Sequence, residues 1–361
     1  MKQFYPLSTF LTEYSEKNGG NTYRPVAVGR YGIRARESIY SKELAKDYSK
    51  NKLIHKNTLT VGMGSVQIDI GVLTDDITYS VSPAYHTYKI AGVNAEYLRY
   101  CLECRNQDMF SRFVKRGSRQ GKTIDLKRWL TYEIPVYDEN RQQEIVDRLN
   151  QISELIEKRQ EQLVQLSELV KSRFVELFGV YPLNPKRWET ATIRDIVTDV
   201  RYGSSRPAVD GGKYPYLRMN NITYGGELDL TDTKRIDIPD NELDKCTVRR
   251  GDVLFNRTNS KELVGKTCVY NRDEMMVLAG FVIRVRVTER ILPEFLSAFL
   301  NTDFSKRMLL GMCKAAIGQA NINAQEMQDI GIYLPPTELQ RQFVQFKEQT
   351  DKSKYYSITE R

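Results

Sequence analysis

The sequence contains little histidine, tryptophan or cysteine. Its 361 residues include 2 His, 2 Trp and 5 Cys, and neither His55 nor His86 has an obvious Ser or Cys partner for a catalytic triad. The Walker A, HExxH, GxSxG and GxGxxG patterns do not occur. These absences indicate a chain that performs no chemistry alone and needs no cofactor of its own.

Long apolar runs are also lacking. None approaches the roughly 18 residues of a membrane span, and the N-terminus has no signal-peptide core. The cysteines are scattered and odd in number, which is typical of free thiols in a reducing compartment. Cys101 and Cys104 form a single CxxC pair, so we expect no zinc site, and we interpret Asp75-Asp76 as an exposed turn. The expected location is the cytoplasm, without a membrane partner.

Positive charge is in moderate excess. The chain has 54 Lys and Arg against 46 Asp and Glu, a net charge of +8 and a pI near 9.0. An acidic partner is therefore expected, with nucleic acid as the first candidate and an anionic membrane surface as the second.

A heptad pattern over residues 143–178 is the longest regular feature of the chain. Its a and d positions are apolar except for Arg159 and Arg173. The apolar seam positions are Ile145, Leu149, Ile152, Ile156, Leu163, Leu166, Val170 and Leu177. Gly179 follows at the expected C-cap. The pattern predicts a helix of roughly 50 Å, at about 1.5 Å per residue, that needs a partner helix.

The sequence repeats internally around this helix. Residues 1–142 and 179–336 each mix short strand-like and helical segments, and a helical segment follows each of them. Matching positions near their ends are separated by 198 residues (322 − 124, 332 − 134 and 344 − 146), and by 194 further upstream (250 − 56). The predicted order is globule, helix, globule, helix, with boundaries 1–142, 143–178, 179–336 and 337–361.

This order predicts an α+β fold with two tandem mixed α/β domains. We expect the central helix to pair antiparallel with the C-terminal helix, which relates the domains by a pseudo-two-fold axis and places them at opposite ends of the rod. A rod of roughly 50 Å corresponds to about 15 base pairs, and two-fold modules suit duplex DNA. A duplicated protein-binding scaffold is the alternative.

Loops next to the predicted strands are rich in residues that contact DNA. Arg reads guanine and Asn or Gln reads adenine, whereas Ser, Thr and Lys mostly bind phosphates. In the first domain the candidates are Arg30, Tyr31, Arg34, Arg36, Arg116, Ser118, Arg119 and Lys122. In the second they are Arg201, Ser204, Ser205, Arg206, Arg218, Asn220, Asn221, Arg257, Thr258, Asn259, Ser260 and Gln319.

Over its whole length the chain resembles the specificity (S) subunit of type I restriction–modification systems. The resemblance lies in the tandem domains, the heptad helix between them and several short motifs. In the second domain these are residues 216–222 (YLRMNNI), 250–257 (RGDVLFNR), 264–266 (VGK), 321–323 (NIN) and 332–342 (IYLPPTELQRQ). In the first, residues 134–136 and 142–146 match the same domain end, although Asn57-Thr58 stands at the Gly-Asp position.

The resemblance implies that each target-recognition domain reads one half of a bipartite double-stranded DNA sequence. It implies that the helices fix the spacer and dock methyltransferase (M) subunits, and through them the restriction (R) subunit. Adenine methylation and ATP-dependent cleavage would belong to those partners. A coiled-coil scaffold, a stand-alone DNA-binding protein and the recognition part of a fused restriction–methylation enzyme are the alternatives.

The second helical segment is shorter than the first. Only 25 residues remain from Thr337 to Arg361. We therefore expect apolar seam positions near the start of the first helix to be uncovered and to bind an M subunit, or the helix of a second copy. These positions are Ile145, Leu149, Ile152 and Ile156. A truncated or rearranged gene product is another interpretation of the short helix.

Overall fold

The computed structural model describes residues 2–20, 23–39, 47–117, 121–316 and 319–359. It consists of two compact units, Met1–Lys158 and Arg159–Arg361, and both mix helices and strands as the predicted α+β class requires. Within the described ranges, no helix is long and apolar enough to cross a membrane.

The first unit is built mainly from short strands. The strands are β1 (Gln3–Pro6), β2 (Leu11–Tyr14), β3 (Val26–Gly29), β4 (Gly32–Ala35), β5 (Lys52–Ile54), β6 (Thr58–Met63), β7 (Ile68–Leu73), β8 (Tyr79–Val81), β9 (His86–Ile90), β10 (Val114–Gly117), β11 (Gly121–Ile124) and β12 (Glu133–Val136). The helices are α1 (Ala95–Cys104), α2 (Asn106–Phe113) and α3 (Leu126–Trp129).

An antiparallel sheet with the order β2-β9-β6-β7 supports the core of this unit. Leu59 and Val61 on β6 are fully buried and pack in one cluster with Leu98 and Leu102 of α1. Helix α1 begins where it does because the Asn94 side chain accepts a hydrogen bond from the Tyr97 N–H at 3.0 Å. Cys101 and Cys104 lie on this helix as free thiols.

Helix α4 (Glu139–Phe178) is the predicted central helix, and its 40 residues span roughly 60 Å. It begins four residues before the heptad pattern because the Asp138 carboxylate accepts a hydrogen bond from the Arg141 N–H at 3.0 Å. At its other end Gly179 has a φ of +84° and donates its N–H to the Val175 carbonyl at 2.7 Å, which confirms the predicted C-cap.

The second unit has the same kinds of element. Its strands are β13 (Glu189–Thr192), β14 (Val197–Tyr202), β15 (Tyr214–Leu217), β16 (Lys234–Ile236), β17 (Thr247–Val248), β18 (Val253–Asn256), β19 (Thr258–Asn259), β20 (Thr267–Val269), β21 (Met276–Leu278), β22 (Val282–Val287), β23 (Lys314–Ala316), β24 (Gln319–Asn321) and β25 (Gly331–Leu334). Its helices are α5 (Asp240–Cys246), α6 (Pro293–Leu300), α7 (Asp303–Met312), α8 (Ala324–Gln328) and α9 (Thr337–Thr359).

The internal repeat is visible in the topology of the two units. The antiparallel sheet β14-β22-β18-β20 corresponds to β2-β9-β6-β7, and the pair β13-β25 corresponds to β1-β12. Two buried glutamines at the predicted separation of 198 residues (340 − 142) repeat the same contacts. Gln142 accepts from the Asn94 N–H at 2.9 Å and donates to the Tyr137 carbonyl at 2.7 Å. Gln340 accepts from the Leu292 N–H and donates to the Pro335 carbonyl, both at 2.8 Å.

Within the second unit, α9 packs along the C-terminal half of α4. The ring centre of Phe343 lies 5.2 Å from that of Phe174, and the Arg173 guanidinium lies 5.8 Å from the centre of the Phe346 ring. Further along α9, Val344, Lys347 and Asp351 line a cavity of about 520 Å³ together with Leu163 and Ser167. Residues later in α9 lie beside residues earlier in α4, as they do in an antiparallel pair of helices.

The apolar seam of α4 is only partly covered. Ile145 packs against the core of the first unit beside the buried Val146, so the expectation that Ile145 is uncovered is wrong. The first turns of α4 dock on their own globule, which the heptad pattern does not reveal. Leu149 is half-buried, whereas Ile152 is 52% and Ile156 43% exposed, as expected.

Candidate nucleic-acid interface

A β-hairpin presents the first group of predicted contact residues. Strands β3 and β4 pair antiparallel with Gly29 opposite Gly32, which leaves Arg30 and Tyr31 at the tip. Gly32 has a φ of +74°, a left-handed conformation that glycine adopts without steric cost. The turn therefore projects two large side chains on a very short loop.

The base of this hairpin is held tightly. Gly71 on β7 lies beneath it, and a Cβ at that position would come within 2.6 Å of the Ile33 side chain. The Tyr85 hydroxyl donates to the Val28 carbonyl at 2.9 Å. Val28 and Ile33 also share an apolar cluster with Ile54 and Leu73 of neighbouring strands. Packing at the base of the hairpin therefore sets the position of its tip.

The cations at the tip have no acidic partner among the residues that the structure describes. The Arg30 and Arg34 guanidiniums each lie 5.7 Å from the centre of the Tyr31 ring, and Arg36 lies 5.5 Å from the ring of Tyr48. Among the described residues, no carboxylate lies within ion-pair distance of Arg30 or Arg34, whereas Arg24 nearby is paired with Glu37. The hairpin thus combines exposed cations with an exposed ring, which suits a phosphate-bearing ligand.

Two further candidates of the first unit, Arg116 and Lys122, lie on the antiparallel strands β10 and β11. Arg116 stands opposite Lys122 in their register. The Lys122 ammonium donates to the Ser65 carbonyl and lies 5.2 Å from the ring of Phe110. Ser118 and Arg119 fall outside the described residues.

In the second unit the fold brings together candidates that are distant in sequence. Strand β19 pairs with β24, with Thr258 opposite Asn321 and Asn259 opposite Ala320, so Arg257 to Ser260 lie beside Gln319. The Arg257 guanidinium stacks on the Tyr202 ring at 4.7 Å. No carboxylate in the described part of the chain pairs with Arg257. The Tyr202 hydroxyl in turn accepts a hydrogen bond from the Ala324 N–H at 2.9 Å, which fixes the ring.

Three other arginines of this unit already have acidic partners. Arg201 contacts Asp199 at 2.8 Å, Arg206 contacts Glu242 at 2.7 Å, and Arg218 contacts Asp232 at 2.8 Å. Contact with DNA would require these pairs to break or to be shared, so Arg257 is the more available cation. Ser205 and Asn220 are exposed, as their predicted role requires.

Three predicted contact residues use their side-chain polar atoms inside the fold instead. Ser204 is buried, and its hydroxyl accepts from the Arg206 N–H at 3.2 Å. The buried Asn221 accepts from the Arg218 N–H and donates to the Asp229 carbonyl, both at 2.8 Å. The Thr258 hydroxyl bonds the Asn321 amide oxygen at 2.9 Å. Because their polar atoms are used inside the fold, we correct the assignment of these three as base or phosphate contacts.

The sequence did not identify two aromatic residues that lie beside Arg257, which are Tyr202 and Phe281. The ring of Tyr202 supports Arg257. Phe281 lies next to Arg257, because its carbonyl accepts from the Arg257 N–H at 3.0 Å, and its side chain is 52% exposed. A signal for Tyr202 existed, because the tripeptide Arg-Tyr-Gly occurs at 30–32 and again at 201–203. Phe281 resembles an ordinary strand residue in sequence.

Lys266 lies beneath the turn that carries Asn220, and Lys306 lies close to Lys266. The buried Lys266 ammonium donates to the carbonyls of Met219 (2.9 Å) and Ile222 (2.5 Å). Burial lowers the pKa of Lys266, and burial together with the nearby Lys266 charge lowers the pKa of Lys306 to about 8. The Lys306 ammonium lies 5.0 Å from the Tyr224 ring. Lys266 therefore fixes this turn, and the burial of the two ammonium groups carries an electrostatic cost.

That cost predicts an unusual dependence of stability on pH. The pKa of Lys306 is about 8 in the folded state, below the ordinary 10.5 expected after unfolding. Between these values the unfolded chain binds more protons, so stability rises with pH across this window and the destabilisation is complete below it. Lys306→Met is expected to raise the melting temperature at neutral pH and to flatten the rise, measured by thermal melts across the window. Lys261→Met, at an exposed site, is the control; equal pH profiles for parent and Lys306→Met would contradict this account.

Comparison with known proteins gives a consistent result. The family model described as "Type I restriction modification DNA specificity domain" matches residues 9–166 and again 185–359. The type I restriction enzyme EcoKI specificity subunit of Escherichia coli (strain K12) is 27% identical over 206 residues, which are 56% of this chain and 44% of that protein. The match thus covers less than half the length of this relative.

Two solved structures share the fold. One is the S subunit of a type I restriction–modification system from M. genitalium, with a TM-score of 0.54 and 14% identity, covering 100% of this chain and 92% of that one. The other comes from work on complex assembly and conformational transition of the type I R-M system, with a TM-score of 0.57, 16% identity, and coverage of 99% and 93%. The double match to one family model confirms the internal repeat.

Proposed function

The chain belongs to the type I restriction–modification DNA specificity family, and we propose that it is the non-catalytic subunit that selects the DNA target, one half-site per unit. The observation that carries this proposal is the arginine–tyrosine cluster in each family-matched region. Arg30 and Arg34 surround Tyr31 in the first, and Arg257 stacks on Tyr202 in the second. In neither cluster does a carboxylate among the described residues neutralise these arginines.

The chemistry of these clusters fits double-stranded DNA. Free guanidiniums can donate two hydrogen bonds to guanine or bind phosphate, and the Asn259 amide beside Arg257 can pair with adenine. Different side chains in the two clusters suit two different half-sites. Adenine methylation and ATP-dependent cleavage would then be carried out by M and R subunits in the cytoplasm.

Salt dependence tests this proposal. Binding of the full chain to duplex DNA should weaken steeply with salt, with a slope of about −0.9 in log K against log salt per phosphate contacted. A scaffold that joins two proteins would show no such binding. Fluorescence anisotropy with labelled duplex, titrated at several salt concentrations, measures the slope directly.

We further propose that an exposed apolar stripe of α4, formed by Ile152, Leu155 and Ile156, docks an M subunit. Ile152 and Ile156 are exposed seam residues, and Leu155 beside them is 61% exposed. An apolar patch of this kind on a polar helix is typical of a protein contact.

Replacing Ile152 and Ile156 together by glutamate is expected to weaken binding of the M subunit at least about tenfold, because a charge at an apolar contact loses more than 1.4 kcal/mol. Both side chains are exposed, so the chain should still fold and bind duplex DNA. Co-purification and calorimetry measure the loss. Gln151→Glu, at an exposed position on α4, is the matched control. Unchanged affinity of the double variant would show that the stripe is not the docking surface.

A further inference from the structure

The ring of Tyr31 is not packed into the core formed by the described residues of its unit. It is 73% exposed, it belongs to no apolar cluster, and its hydroxyl makes no hydrogen bond with any described residue. The side chains below it, Val28 and Ile33, already secure the hairpin. An aromatic residue held out on a two-residue tip is therefore available to a ligand.

The two arginines beside this ring are loosely placed. Each guanidinium lies 5.7 Å from the ring centre, close to the limit of about 6 Å for a cation–π contact. Neither has an acidic partner in the described ranges. Both can therefore leave the ring for phosphates without breaking an ion pair, and their departure uncovers the faces of the ring.

We propose that Tyr31 stacks on a nucleobase of the target as a wedge at one base step, while Arg30 and Arg34 bind the flanking phosphates. This inference rests on the proposed function and adds a mode of recognition to it. A ring on a narrow tip can enter a partly opened step, and a tyrosine loses little conformational freedom when it does so. The contacts of Gly71 and Tyr85 fix the base of the hairpin, so the tip is expected to keep its position when the ring enters the base step.

The wedge also sets a sequence preference. Opening a base step is easiest at pyrimidine–purine steps such as TA and CA, because these steps stack least well. The half-site read by the first unit should therefore contain such a step where Tyr31 enters. This preference arises from deformability of the DNA and requires no hydrogen bond to a base edge.

A tryptophan reporter tests the wedge directly. The chain has only two other tryptophans, Trp129 and Trp188, and Trp129 is fully buried. The full-length Tyr31→Trp variant is titrated with a duplex carrying the sequence that is methylated in cells expressing this chain with its M subunit. Stacking on a base should quench the new fluorescence. Phe4→Trp is the matched reporter, since Phe4 is also exposed with a cation over its ring but is not among the candidate contact residues, and it should not be quenched.

Affinity measurements separate the ring from the charges. Tyr31→Phe should bind within about twofold of the parent, whereas Tyr31→Ala should lose about tenfold or more with an unchanged salt slope. Arg34→Ala should weaken binding and reduce the slope by about one phosphate contact. Duplex binding by Tyr31→Trp without quenching, or parental affinity of Tyr31→Ala, overturns the wedge and leaves the proposed function intact. Failure of the parent chain to bind any duplex overturns both.

Discussion

Replacing Arg257 and Asn259 together by alanine is expected to abolish discrimination at one half-site and leave discrimination at the other unchanged. Arg257 has no carboxylate partner among the described residues and is oriented by the Tyr202 ring at 4.7 Å. The Asn259 amide oxygen accepts from the Ser260 N–H at 2.9 Å, and no described residue accepts a hydrogen bond from its NH₂ group, which can therefore donate to a base. Each bidentate pair with a base contributes about 1–3 kcal/mol, so discrimination between the correct and an altered half-site should fall at least tenfold.

The measurement is competition between duplexes in which one half-site at a time is randomised. Arg257→Lys is the matched control, because it keeps the charge but not the planar pair of donors, and it should relax specificity more than it weakens binding. Tyr31→Ala in the first unit should relax the preference at the opposite half-site, whereas Arg34→Ala, at a phosphate contact, should weaken binding to all duplexes alike. Equal losses at both half-sites would contradict the assignment of one half-site to each unit.

Replacing Phe343 by alanine is expected to destabilise the second unit by about 3–5 kcal/mol. Phe343 is fully buried, and its ring lies 5.2 Å from Phe174 and 5.7 Å from Phe178. The substitution removes the aromatic contact that attaches α9 to α4 and leaves a cavity, so the pair of helices should loosen. Denaturant unfolding and protease resistance of α9 report the effect.

Two controls make this prediction specific. Gln345→Ala lies on the exposed side of the same helix and should change little. Ile145→Ala removes the residue at the matching repeat position (343 − 198) in the first unit, where Ile145 is only partly buried, so its cost should be smaller and confined to that unit. A Phe343→Ala chain with parental stability would contradict the packing of α9 on α4.

The framework of the fold was predictable because it depends on periodicity and spacing. Heptad spacing predicted α4, and Gly179 predicted its end. The separation of 198 residues paired Gln142 with Gln340, and both make equivalent buried hydrogen bonds. Ile145 was mispredicted because a heptad pattern shows which face of a helix is apolar but not which part of the chain covers it.

The contact residues were less predictable, because residue type does not reveal the direction of a side chain. Asn221 and Asn220 are adjacent in sequence, yet Asn221 is buried and holds its turn whereas Asn220 is exposed. The pairing of β19 with β24 joins Asn259 to residues about 60 positions away, and such long-range pairing has no local sequence signal. The exposure of the Phe281 side chain depends on the folded structure and has no signal in the surrounding sequence.

The central claim is that each unit selects one half of a bipartite DNA target. Methylome sequencing of cells that express this chain with a type I M subunit tests it most directly. We predict adenine methylation at two short specific sequences separated by a fixed spacer, and the Arg257→Ala/Asn259→Ala variant should change only one of them. The absence of any new methylated motif, or a single uninterrupted motif, would contradict the claim.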